Sequence, residues 1–299
     1  MQPKITVALV SALSLLSTSS ALPSAEGNAL QPRANPNNIM MFDCTDYKGR
    51  TLKDLCMSMC FGSFCAGNGQ SLVWDNASDS IQRSRARDAG CRPTPNRCAK
   101  SPYGKNYQCD EFPFKSVKDT RGTRVNRCVP KKQNQDQAQI VKAFYGKNGY
   151  CKAKAPCSYT TGYENSGNIK YCNKKTCKND GNEYTKGDKK FSKRDDDDQL
   201  VDELFSSGNA TTISWPTRFK TAQGTEVNIA QGAQIGDIAH RMIIKDETAW
   251  DAYIEKLIAA EDAMTEDEYW QAQAAPADDE LYSLIDIEQT TITEVLPDY

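Results

Sequence analysis

Apolar and polar positions recur with different periods along the chain, and those periods predict its elements. Ile5 to Leu16 is a mainly apolar run, too short to span a bilayer, and no later segment is long enough either. Gln108 to Val117 reads as a short extended segment whose Pro113 suggests an edge or strand end. Lys118-Asp119-Thr120-Arg121-Gly122-Thr123 has turn composition. Arg124 to Val129 then reads as a second strand, stopped by Pro130. Gln133 to Tyr145 carries Ile140, Val141, Phe144 and Tyr145 as a helical stripe, with Gly146 near its end. The order is strand, turn, strand, helix. Farther on, Thr212 to Ile229 is a strand or hairpin candidate around Gly224. Ala249 to Gln271 is a helix by the spacing of Trp250, Tyr253, Ile254, Leu257 and Ile258, and Pro276 ends it. Leu281 to Leu296 alternates short apolar runs with acids.

Processing signals and cysteines place the chain in a compartment. Lys4, the apolar run and Ser19-Ser20-Ala21 give residues 1–25 the layout of a secretory signal peptide. The mature protein is therefore expected to be secreted and extracellular, without membrane attachment. Asn76-Ala77-Ser78 and Asn209-Ala210-Thr211 are compatible with that route. A polar leader follows at 26–39. All twelve cysteines lie between Cys44 and Cys177, and an even, dense set in an exported chain implies disulfides. Cys56, Cys60 and Cys65 have a spacing that zinc could use. The sole histidine, His240, is far away, and an oxidising compartment favours bridges. Spacing does not give the pairing. His240 itself reads as a packed or surface residue of the C-terminal part and not as a ligand.

Charge divides the chain as sharply as cysteine does. Up to Arg194 there are 32 Lys and Arg against 15 Asp and Glu, a net of +17; from Asp195 onward 5 face 24, a net of −19. The whole-chain value of −2 hides two opposite fields. The change falls at Lys193-Arg194, followed by Asp195 to Asp198. That dibasic pair resembles a site for a processing protease of kexin type, with an uncut charged linker as the alternative. The expected organisation is a basic cysteine-rich domain at 40–177, a charged linker at 178–198 and an acidic region at 199–299. Tyr150, Tyr159, Tyr163, Tyr171 and Tyr184 interleave with lysines, which suits either a nucleic-acid track or, preferably, a stapled and solvated tail.

Within the basic part, Cys109-Asp110-Glu111-Phe112-Pro113-Phe114 sets two adjacent carboxylates among many cations. Phosphodiester hydrolysis gives such acids a role, since it needs a base for water, a divalent metal at the phosphate and cations for the backbone. Surface acids paired with nearby Lys and Arg are the plain alternative.

That run, with Cys128-Val-Pro, Asn134, Gln137 and Phe144-Tyr145, resembles the secreted deoxyribonucleases of the NucA/NucB type, including their fungal cysteine-rich members. Arg83-Ser-Arg-Ala-Arg-Asp-Ala-Gly-Cys91 and Phe42-Asp-Cys44-Thr-Asp support it upstream, and the likeness covers roughly Phe42 to Cys157. It implies an α+β fold: a small disulfide-rich, ββα-metal-like nuclease domain, followed by an acidic region that is mixed α/β or partly disordered. In such a family the usual histidine base is replaced by an acid. By position, Asp110 is then the general base, Glu111 a metal-site or orienting residue, and Asn134 the metal-binding amide. Gln133 joins the metal set where the family is usually acidic, which predicts weaker metal affinity. Arg121, Arg124 and Arg127 are expected to hold the scissile phosphate or its developing charge, with Lys105 also binding substrate. Mg²⁺ or Mn²⁺ suits these oxygen ligands. The function implied is a secreted, metal-dependent endonuclease with little sequence preference, acting on DNA, with RNA as the other candidate. A weakened nuclease scaffold serving as a secreted DNA-binding toxin or effector is the alternative. The acidic region's charge suggests that it masks the nucleic-acid groove until cleavage after Arg194.

Overall fold

In the computed structural model six strands close into a barrel, with helices and a second, smaller sheet packed beside it. The residues described are 37–47, 50–68, 72–92, 96–118, 122–173, 176–191, 216–229 and 232–297. The signal peptide, most of the leader, Arg121 and the Lys193-Arg194 junction lie outside them. In chain order the strands are β1 (Asn38–Asp43), β2 (Leu72–Trp74), β3 (Tyr107–Phe112), β4 (Val125–Pro130), β5 (Cys157–Glu164), β6 (Thr217–Thr221), β7 (Glu226–Ile229), β8 (Ile238–Ile244) and β9 (Ile285–Val295). The main helices are α1 (Lys53–Cys60), α2 (Asp79–Ala89), α3 (Lys131–Tyr145), α4 (Glu247–Ala263), α5 (Glu266–Ala274) and α6 (Asp279–Leu284).

The barrel runs β1-β8-β9-β6-β7-β5 and back to β1, with β2 paired to the first half of β5. β1 is parallel to both its neighbours, with Asn38 opposite Ile238 and Ile39 opposite Thr160. The other ring pairings are antiparallel. Strand alternation explains the burial. Ile39 and Met41 meet Phe219, Val227, Ile229, Ala239 and Ile292 in one cluster, whereas Met40 and Phe42 join the larger core with α1 and Tyr163. Gly162 of β5 faces the first cluster, where a Cβ would sit 2.6 Å from Met41 Sδ and 2.9 Å from Ile39 Cγ2. Glycine there lets the barrel close on its own side chains.

The α+β class agrees with expectation, but the closed barrel replaces the ββα-metal fold that the resemblance implied. The local order strand, strand, helix is present as β3, β4 and α3. Those strands form a separate sheet with two-residue strands at 184–185 and 189–190. The large sheet takes four of its six ring strands from beyond residue 215, in the acidic part. The reason lies in β1, which is apolar on both faces and pairs on both edges. Its start also reaches into the stretch read as a polar leader, since Ile39 is fully buried.

Six disulfides join Cys44–Cys56, Cys60–Cys172, Cys65–Cys177, Cys91–Cys109, Cys98–Cys128 and Cys151–Cys157, so no cysteine is left for zinc. The hairpin expected around Gly224 is β6–β7, with Gly224 at φ +83°. The single helix expected over 249–271 is two. Thr265 caps α5, accepting from the Glu268 N–H while the Glu268 carboxylate accepts from the Thr265 N–H, and this capping box breaks the run at Met264.

His240 packs against Phe144 and Tyr150, with Nε2 2.8 Å from Asn38 Oδ1. Burial lowers its pKa to about 4. Between the ordinary histidine value and pH 4 the unfolded chain takes up a proton that the folded one excludes, so stability falls as pH drops. His240→Gln should remove that dependence. Chemical denaturation at pH 7 and pH 4.5 is expected to show a loss about 2 kcal/mol smaller in the variant. Equal losses would mean that the imidazole is not held neutral.

Candidate active site

β3 carries the two carboxylates to the wall of a cavity of about 330 Å³. Alternation puts Asp110 on the face it shares with Phe112, and Glu111 on the face of Cys109. Phe112 lies so close to the end of α1 that a Cβ on Gly62 would fall 2.6 Å from its ring. That close approach brings Asp110 beside Ser58, one helical turn before Gly62. From α3, Asn134, Gln137, Val141, Lys142 and Tyr145 reach the same cavity at the spacing of one helix face. Trp74 stacks on Tyr145, with ring centres 4.7 Å apart and planes 9° apart. Across the cavity lie Tyr269, Gln273 and residues 275–277 of the acidic part.

Asp110 is 2 % exposed. Burial, reinforced by the neighbouring Glu111 charge, pushes its pKa up to about 7. The Ser58 hydroxyl and the Gln137 amide face it, yet Asp110 Oδ2, Ser58 Oγ and Gln137 Nε2 all lack a partner of ordinary hydrogen-bond geometry. Buried polar atoms of this kind need a water, a substrate or an ion to complete them. Glu111 accepts the Lys115 N–H at 3.3 Å. Asn134 donates to Gln108 Oε1 at 2.7 Å, which fixes its amide and leaves its oxygen as the ligand-type atom. Lys142 is lowered below the usual lysine range by burial and then by the Lys115 charge.

Among the described residues no three of His, Cys, Asp and Glu gather as a metal cage. Two carboxylates and two amides lining one cavity, with an orphaned carboxylate oxygen, instead fit a hard cation that keeps most of its water and takes few protein ligands.

Asp110, Glu111 and Asn134 are thus brought together; the other expected site residues stand elsewhere. The Arg127 guanidinium is held by Glu183 at 2.6 Å and Asp180 at 2.8 Å, and is buried together with Glu183. Arg124 donates to the carbonyls of Pro113, Phe114 and Val117, pinning the turn that follows the carboxylates. Gln133 Oε1 accepts from the N–H groups of Asp54 and Leu55, and its amide donates to Asp54. It therefore caps α1, whose own preceding residue, Leu52, supplies no side-chain cap. Lys105 is exposed and away from the cavity wall. Arg121 lies outside the described residues. Sequence reasoning missed Ser58, Lys115 and Lys142. A helical count from Asn134 reaches Lys142, and Lys115 directly follows the carboxylate run; Ser58 has no local signal.

Residues 59–155 match the family model Deoxyribonuclease NucA/NucB. That is a nuclease of the DNA-cleaving class, and the matched segment contains Asp110, Glu111, Asn134 and Gln137. The chain carries a NucA/NucB-type deoxyribonuclease segment over those residues. The four ring strands and three helices of the acidic part lie beyond it. No curated protein and no solved structure matches the chain.

Gln133→Ala should cost about 1–2 kcal/mol by uncapping α1, and leave the metal dependence of the folded protein unchanged. Denaturation and metal titration would check both. An altered metal requirement without loss of stability would return Gln133 to the metal site.

Proposed function

We propose that the protein is a secreted, metal-dependent endonuclease that hydrolyses DNA with little sequence preference, using Asp110 as its general base. The observation that carries this reading is the buried Asp110 carboxylate, its Oδ2 without a partner of ordinary hydrogen-bond geometry and its pKa held near neutral, in a cavity shared with Glu111 and Asn134 inside the NucA/NucB-type segment. A base poised near the working pH is partly free to accept a proton from water and strong enough to hold it. Glu111 and Asn134 are the residues that would hold Mg²⁺ or Mn²⁺. The metal's part is to neutralise charge on the phosphate. Gln137 and Ser58 would orient Asp110 or a water beside it. Six disulfides suit an oxidising, extracellular setting. No helix among the described residues is long and apolar enough to cross a membrane.

Asp110→Asn keeps the shape of the side chain and removes the base. Plasmid cleavage with Mg²⁺ or Mn²⁺ should fall at least ~100-fold, while duplex binding in EDTA stays unchanged. Cleavage close to wild type would remove Asp110 from the mechanism. A wild-type protein that binds DNA and cuts with neither metal would favour the secreted binding module over the enzyme.

A further inference from the structure

Resting on the reading of the chain as a DNA-acting protein, we propose that the cations beneath α4 and α5 form the track for the DNA backbone. The acidic face of those two helices occupies the track as an intramolecular stand-in for phosphates.

Four ion pairs mark the rim. Asp251 meets Lys132 at 2.9 Å, Asp262 meets Lys131, Glu266 meets Arg92 at 2.5 Å and Asp267 meets Arg83 at 2.6 Å. Nearer the cavity, the Lys115 ammonium sits 4.7 Å from the Trp270 ring and 3.5 Å from Gln273 Oε1. Lys142 donates to the Ala272 carbonyl at 3.1 Å. Six cations from α2, α3 and the adjoining loops thus surround one wall of carboxylates, and each meets an oxygen or a ring of the acidic helices. Glu261 reaches farthest in. It accepts from Gln108, which in turn holds Asn134, and from Gln135.

Stability does not account for this pairing. The four rim carboxylates are 45 to 78 % exposed, and such pairs contribute only about 0–1 kcal/mol each. The helices are instead anchored by apolar contacts: α4 and α6 by Trp250, Tyr253, Ile254 and Leu281, buried against Ala143 and Ile285, and α5 by Trp270, buried against Ala86 and Cys91. What the rim acids do is neutralise, side chain by side chain, the cations that flank the candidate active site. Phosphates are the ligands that cations so arranged would otherwise attract.

Binding of a fluorescent duplex to the full chain in EDTA separates this surface from catalysis. One variant carries Asp251→Asn, Asp262→Asn, Glu266→Gln and Asp267→Asn. A control of equal charge carries Glu226→Gln, Asp286→Asn, Glu288→Gln and Glu294→Gln, on the barrel strands β7 and β9. The rim variant should bind about 10-fold tighter or more, and the control less than about 3-fold tighter, because only the rim acids compete with phosphates locally. Equal tightening would reduce the effect to net charge and overturn the proposal, as would no tightening by the rim variant. Adding Lys131→Gln and Lys132→Gln to the rim variant should flatten log K against log salt by about 2. An unchanged slope would also overturn the proposal. Should the rim variant fail to fold, the same two lysine changes in the wild-type chain carry the test, with weaker binding expected and unchanged binding overturning it. Loss of cleavage alone would sink the nuclease reading and leave these outcomes intact.

Discussion

Everything in this fold hangs on β1, six residues that pair in parallel on both edges and bury side chains on both faces. One edge joins β5 of the basic, cysteine-rich part; the other joins β8 of the acidic part. One face fills the barrel and the other backs the core that carries α1 and, through Phe112, the carboxylate strand. A strand with exposed edges would be a template for pairing with other chains. Here the acidic part supplies the missing partner and closes the ring. The two halves of opposite charge are therefore not beads on a linker. They share the large sheet, and the charge boundary in the sequence is not a boundary in the barrel.

That connectivity limits what processing near Lys193-Arg194 can accomplish. A cut there severs the chain but leaves β6 to β9 paired to β5 and β1 in the barrel. The helices α4 to α6 are strung between β8 and β9, both barrel strands, so they stay in place after the cut. If the acidic helices mask the track as proposed, its opening calls for displacement at the rim and not for loss of the acidic part. The energetic layout suits that. A buried aromatic anchor resists dissociation, while exposed ion pairs at the edge are weak and screened by salt. Buried aromatics hold α4 at Trp250 and α5 at Trp270, and the rim ion pairs are the weak part of the seam.

Much of the local structure was legible from period and punctuation alone. Two strands and a helix around Asp110, the hairpin at Gly224 and the helical stripe of Trp250, Tyr253 and Ile254 all stand near their expected places. The barrel was not legible, because ring closure is a property of pairings between residues about 120 and 200 positions apart. No local pattern records them. β1 itself, Asn-Ile-Met-Met-Phe-Asp, is too short a run to choose between strand and helix. The break between α4 and α5 was there to be read, since Thr265 and Glu268 have capping-box spacing, but the apolar stripe runs past it. Cysteine density predicted bridges correctly, and only the fold could pair them.

The site shows a sharper limit. Sequence proximity nominated Arg121, Arg124 and Arg127 as phosphate ligands, yet Arg124 and Arg127 are both buried and spent on the scaffold. Their chemistry explains the choice. A guanidinium presents several donors in one plane, so Arg124 can bridge three carbonyls and Arg127 two carboxylates. An ammonium on a flexible stem is poorly suited to that and can instead reach into a cavity, whose wall is where Lys115 and Lys142 stand. The same logic separates Gln133 from Asn134. Adjacent on α3, they point about 100° apart around the helix, so one caps α1 and the other faces the cavity. A change of charge at Gln133 therefore bears on the stability of α1, whose Ser58 lies beside Asp110, before it bears on any metal. Two residues that sequence reading had placed in the chemistry, Arg124 at the turn after the carboxylates and Gln133 at the start of α1, thus serve the scaffold around Asp110 instead.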